Sequence, residues 1–156
     1  MIRIFFIAAF AALFLNTVSA QNLTTAQVQN LVNSKHYVFE AQTVTPQRGG
    51  MRQLTPGYSL KIAGDSLISY LPYFGRAYTA PINPSDAGYD FVSTNIGYTI
   101  TPKKKGSYQI SIHTKDKVNA TNFLLTVYND GNAFLQVTSN DRQPIAFRGY
   151  IKDAKE

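Results

Sequence analysis

From Tyr37 onward the chain alternates apolar and polar residues with a period of two, the spacing of a half-buried β-strand. Tyr37, Phe39 and Ala41 stand on one face, with Val38, Glu40 and Gln42 on the other. Tyr58, Leu60 and Ile62 repeat the pattern, and Leu67, Ser69 and Leu71 follow the turn dipeptide Gly64-Asp65. Tyr89 and Phe91 lead the next run, and Ile96, Tyr98 and Ile100 come after Asn95. Tyr108, Ile110 and Ile112 are opposed by Ser107, Gln109, Ser111 and His113. Phe123, Leu125 and Val127 enter the hairpin signal Asn129-Asp130-Gly131-Asn132, and Ala133, Leu135 and Val137 leave it. Ile145, Phe147 and Ile151 form the last strand, in which Gly149 marks a bulge or a close backbone approach.

One segment departs from this rhythm. Thr24 or Thr25 is placed to cap a helix, and Val28, Leu31 and Val32 fall at i, i+3 and i+4. The pattern stops near Asn33-Ser34, which leaves two to three turns that need something to pack on.

Short strands separated by Gly, Pro, Asn and Asp turns predict an all-β antiparallel domain of eight to ten strands, with one short N-terminal helix. Sheets apolar on one face fit either a barrel or a two-layer sandwich. Successive hairpin signals favour a meander, and hence lipocalin-like closure of a barrel. The longest irregular stretch expected before the first hairpin is Thr45–Pro56. A transmembrane barrel is rejected, because most runs are shorter than a spanning strand and the alternate face carries Lys61, Arg148 and Lys152.

The first twenty residues change the setting. Arg3, the apolar run Ile4–Leu15 and the small residues Val18-Ser19-Ala20 match a signal peptide cleaved after Ala20. The expected product spans residues 21–156, one domain that does not cross a membrane and lies in the periplasm or outside the cell. With no Cys in the chain it carries no lipobox, disulfide, thiol nucleophile or Cys-ligated metal. Lys and Arg number 15 against 9 Asp and Glu, a moderate excess that export turns away from nucleic acid. Lipid, glycan or another envelope protein are the partner classes left. Lys103-Lys104-Lys105 reads as a charged hairpin tip that keeps the sheet soluble.

Catalytic chemistry finds no foothold. His36 and His113 lack a coupled Ser and carboxylate, and no G-x-S-x-G or H-E-x-x-H occurs, so no metal site is expected. Glu40 and Asp90 are the acids within strands, and as a glycosidase pair they are outweighed by acids that simply face water. Gly49-Gly50 lacks the Lys and helix of a phosphate loop. The expectation is a non-enzyme without a cofactor, either a binding module for a small apolar or amphipathic envelope molecule or a filled-core interaction protein.

The densest recognition signal is Tyr70-Leu71-Pro72-Tyr73-Phe74-Gly75-Arg76-Ala77-Tyr78. Tyrosine rings combine apolar area with a hydroxyl, and a guanidinium offers a planar fork. Tyr70, Tyr73, Phe74, Arg76 and Tyr78 are therefore the candidate ligand-binding residues, against the competing reading that the rings plug the end of a barrel. Arg76, with apolar neighbours on both sides, is expected to be partly buried and paired with Asp90 or with carbonyls of the Pro72–Gly75 turn.

LPYFGRAY, with Gly64-Asp65 before it and Gly88-Tyr89-Asp90-Phe91 after it, resembles an exported bacterial family catalogued as domain of unknown function 4251. The resemblance spans Tyr37 to Ile151 and includes Gly57-Tyr58, Lys105–Ile110, Asn129-Asp130-Gly131 and Arg148–Ile151. It implies an envelope protein of Bacteroidetes-like bacteria with no assigned activity, and it brings no catalytic residues to carry over.

Overall fold

A computed structural model describes residues 23–78, 88–116 and 121–154, so residues 1–20, expected to be a signal peptide, lie outside the described residues. Helix α1, Thr25–Ser34, begins with a reciprocal cap. The Thr24 hydroxyl accepts from the Gln27 backbone N–H at 3.3 Å, and the Gln27 side-chain oxygen accepts from the Thr24 N–H at 2.8 Å. Val28 and Val32 turn fully inward. The helix ends at Lys35 in the left-handed conformation (φ 54°), where its carbonyl accepts from Gly64 N–H at 3.0 Å.

The strands are β1 (His36–Pro46), β2 (Arg52–Gln53), β3 (Ser59–Ala63), β4 (Ser66–Leu71), β5 (Tyr89–Ser93), β6 (Ile96–Pro102), β7 (Tyr108–Thr114), β8 (Thr121–Val127), β9 (Asn132–Ser139) and β10 (Ile145–Asp153). They pair antiparallel in the order β5-β4-β3-β1-β10-β9-β8-β7-β6, with β2 added to β1. The pairing of β1 with β10 curls the meander into a nearly closed barrel, which decides between the two architectures the alternation allowed. The stretch Thr45–Pro56 is less irregular than its composition suggests, because Arg52 and Gln53 fold back to pair with Val44 and Thr43.

The barrel's seam has an unusual form. Eight antiparallel steps separate β5 from β6, so these consecutive strands run in the same direction rather than forming a hairpin. Together they make one kinked run whose first half pairs with β4 and whose second half pairs with β7. Asp116, just past β7, holds the kink by accepting from the Ser93 hydroxyl at 2.5 Å and the Thr94 N–H at 2.9 Å. Ile96 N–H also reaches across to the Asp65 carbonyl at 3.3 Å.

Inward positions of the strands form one core that includes Tyr37, Phe39, Leu60, Ile62, Ile110, Phe123, Leu135 and Phe147. Burying a side chain of this size contributes on the order of 1.5–3 kcal/mol. Among the described residues, four polar ones on the same inward rows are also buried. Ser69 donates to the Tyr89 carbonyl at 2.7 Å, and Thr114 accepts from the Thr121 N–H at 3.2 Å.

The register places α1, the β3–β4 turn and the β8–β9 turn at one end of the barrel. There the helix covers the opening, with the Tyr98 hydroxyl donating to the Val32 carbonyl and lying 3.1 Å from the Tyr37 hydroxyl. Burial pushes the Tyr98 hydroxyl up to about 12, against the pull of its bond to Tyr37. The β4–β5 and β9–β10 connections lie at the opposite end.

Candidate functional site

The nonamer around Tyr73 is the roof of that opposite end, and an arginine from another segment fastens it. Arg142, in the β9–β10 connection, sits 5.1 Å from the Tyr73 ring centre and 5.0 Å from that of Tyr89. The two rings meet edge to face at 5.9 Å. Arg142 donates Nε and Nη2 to Asp141 Oδ2 at 3.1 and 2.8 Å, and Nη1 to the Gly88 carbonyl at 3.1 Å. Its side chain is 12% exposed, so its positive charge is stacked and hydrogen-bonded in a largely desolvated place. Asp141 in turn accepts from the Ser139 hydroxyl.

Backbone bonds stitch the same segments together. Ala77 and Arg142 form a β-bridge, Tyr78 N–H donates to the Asp141 carbonyl at 2.7 Å, and Gln143 N–H donates to the Arg76 carbonyl at 3.1 Å. The Tyr73 hydroxyl donates to the Arg76 carbonyl at 2.9 Å and lies 3.2 Å from that of Gln143. A Cβ on Gly75 would stand 2.6 Å from this hydroxyl, so glycine is what lets the ring fold back over its own chain. Burial raises the Tyr73 hydroxyl above its ordinary value and raises that of Tyr89 much further, with the charge of Arg142 opposing both. The buried Tyr89 hydroxyl faces the Ser139 side chain, a contact that opposes the rise, but makes no hydrogen bond of ordinary geometry among the described residues.

The five candidate residues do not converge. Tyr73 and Phe74 are half-buried in the roof, where the Arg52 guanidinium covers the Phe74 ring at 5.2 Å. Tyr70 projects from the outer wall, 50% exposed, and stacks on Tyr58 at 5.4 Å. Arg76 and Tyr78 are exposed. The expectation of a partly buried Arg76 paired with Asp90 is corrected, since both residues face outward. With the Arg76 backbone engaged on Gln143 and Tyr73, its side chain is left on the solvent side. Arg142 takes the buried role, and its only local signal was the adjacent acid in Asp141-Arg142.

A second feature was not legible in either of its parts. Where α1 meets the end of β10, a groove of about 570 Å³ opens. Gln27, Asn30, Leu31 and Ser34 line the helix wall at i, i+3, i+4 and i+7. Tyr150, Ile151, Lys152 and Asp153 line the other side, and Leu23 completes the rim. Lys152 is held by Glu40 at 2.6 Å on the barrel's outer face. Among the described residues no three His, Asp or Glu side chains gather to hold a metal, and no helix is long and apolar enough to cross a membrane.

These features define an antiparallel all-β barrel with a helix over one end and an arginine-latched roof over the other. The chain belongs to the family described as domain of unknown function DUF4251, whose model matches residues 19–151. It is similar to the crystal structure, at 1.95 Å resolution, of a DUF4251 family protein from Bacteroides eggerthii DSM 20697. The TM-score is 0.63 at 13% identity, over 86% of this chain and 90% of that one, so the likeness extends to the fold alone. No curated protein matches the chain.

Proposed function

We propose that this is an exported, non-catalytic protein of the cell envelope that binds a small amphipathic molecule in the groove between α1 and β10. The groove carries the reading. Its volume lies within the range of small-ligand sites, and its lining combines apolar and hydrogen-bonding side chains on two rigid elements. The roof, by contrast, spends Tyr73 and its neighbours on internal contacts. Export rests on the pattern of residues 1–20. The test is native mass spectrometry of protein purified from its own host. A retained small molecule, lost on denaturation, is the expected result; the bare polypeptide mass under the gentlest ionisation would overturn it.

The outer wall favours a second reading, contact with another envelope protein. Ile68 stands opposite Val92 across the β4–β5 ladder, both exposed, beside the Tyr58–Tyr70 stack. Cross-linking in the host from position 92 that captures one protein, and is lost in Tyr70→Ser, would support it over the groove.

A further inference from the structure

We propose that the groove is a saccharide site, taking an uncharged mono- or disaccharide; this deepens the reading of the groove as the binding site and rests on it. Gln27, Asn30 and Ser34 place two amides and a hydroxyl along one helix face. These are neutral groups that together donate and accept, which is what sugar hydroxyls require of a wall. In Gln27 the side-chain oxygen is spent on the Thr24 cap, so its amide nitrogen is the part not used there. The Ser34 hydroxyl donates to the Leu31 carbonyl at 3.0 Å and keeps its lone pairs as acceptors. Tyr150, on the facing side, supplies an aromatic surface of the kind that packs against the C–H face of a pyranose.

The same chemistry argues against the other small molecules of an envelope. The apolar lining, Leu23, Leu31, Ile151 and the Tyr150 ring, is interrupted by polar side chains on both walls. An acyl chain laid there would strip water from the amides without replacing their hydrogen bonds. An anion would meet Asp153, while the one cation of the lining, Lys152, already faces Glu40 at 2.6 Å.

The test is an amide NMR titration of isotope-labelled protein in its natural processed form, with three probes: N,N′-diacetylchitobiose, maltose and decanoate. Either disaccharide should give saturable shifts centred on Asn30, Ser34, Tyr150 and Asp153, and the stronger of the two separates an N-acetylated from a plain source. The double variant Asn30→Ala, Ser34→Ala should weaken that binding at least tenfold with an unchanged melting temperature, since both positions are exposed on a helix. Unchanged affinity in the variant would overturn the saccharide assignment. Shifts at the same amides with decanoate, but with neither sugar, would overturn it too while leaving the amphipathic-ligand reading in place. No shift with any probe would overturn both. The position of the shifts in the unmodified protein decides the matter even if the variant folds poorly.

Discussion

The carbonyl oxygen of Glu40 occupies the space where a Cβ on Gly149 would stand, 1.8 Å from that position. Ala41 pairs with Gly149, but the next matched pair is Thr43 with Arg148, so β1 carries an extra residue, Gln42, at this point. The bulge presses β1 onto β10 at the pairing that closes the barrel, and glycine makes room for it. The expected bulge or close approach at Gly149 is thus a close approach, with the bulge on the partner strand. Gly149→Ala should destabilise the fold by at least about 2 kcal/mol, as overpacking against backbone does. Urea denaturation checks this, and a loss under about 0.5 kcal/mol would show that the two strands can part at no cost.

The roof latch makes two arginines unequal. Arg142→Ala leaves Asp141 without its partner in a largely buried place and should cost about 2–4 kcal/mol. Arg142→Lys should recover little, because a compact ammonium cannot reach both rings while also donating two bonds to Asp141 and one to the Gly88 carbonyl. Arg76→Ala, on the exposed side of the same segment, should stay within about 0.5 kcal/mol. Thermal melts of the three variants decide it; equal losses at 76 and 142 would remove the latch.

Tyr89→Phe should leave stability unchanged or raise it by up to about 1 kcal/mol. The substitution deletes a buried hydroxyl that makes no hydrogen bond of ordinary geometry while keeping the ring against Tyr73 and Phe123. A clear destabilisation in chemical denaturation would mean that this hydroxyl is paired in solution.

Alkaline pH should destabilise the protein, in part through the tyrosine pair at the helix-capped end. Burial raises Tyr98 to about 12 and raises Tyr37 as well, so both bind their protons more tightly folded than unfolded. A group of this kind contributes stability that is complete below the unfolded value near 10 and is lost as pH rises through the folded one. Stability should therefore fall between about pH 10 and 12. Tyr98→Phe should flatten that fall while costing about 1 kcal/mol at neutral pH for the bond to Val32. Circular dichroism against pH reads both effects, and an unaltered alkaline slope in the variant would count against the assignment.

The lysine tip should be expendable. Lys103, Lys104 and Lys105 are all exposed, at and beside a short 3₁₀ turn between β6 and β7. Replacing all three with Ser should shift stability by no more than about 0.5 kcal/mol. A larger loss, measured by thermal melting, would assign the turn a packing role.

Which residues face inward was largely legible in the chain, because along an uninterrupted strand a side chain's face depends on the parity of its position; the bulge at Gln42 breaks the rule, and beyond it Val44 rather than Thr43 turns inward. Tyr37, Phe39 and Ala41, or Leu67, Ser69 and Leu71, are buried as their alternation implied, Ser69 included. Turns with local chemistry were legible for the same reason: Gly64 and Gly131 both adopt positive φ, which a short-range signal specifies. The helix cap at Thr24 belongs with them. Relations between distant segments carried no such mark. That β5 and β6 form one kinked run, and not a hairpin, depends on which strands each finds as neighbours. Arg76 and Arg142 look alike locally, with Arg76 in the more apolar setting, yet burial went to the arginine that the β4–β5 roof happens to cover. The groove joins residues 23–34 to residues 150–153, each an ordinary helix or strand face until the closing of β1 on β10 brings them together. Alternation and turn chemistry act over a few residues, whereas pairing across the barrel is settled by packing energy summed over the whole core.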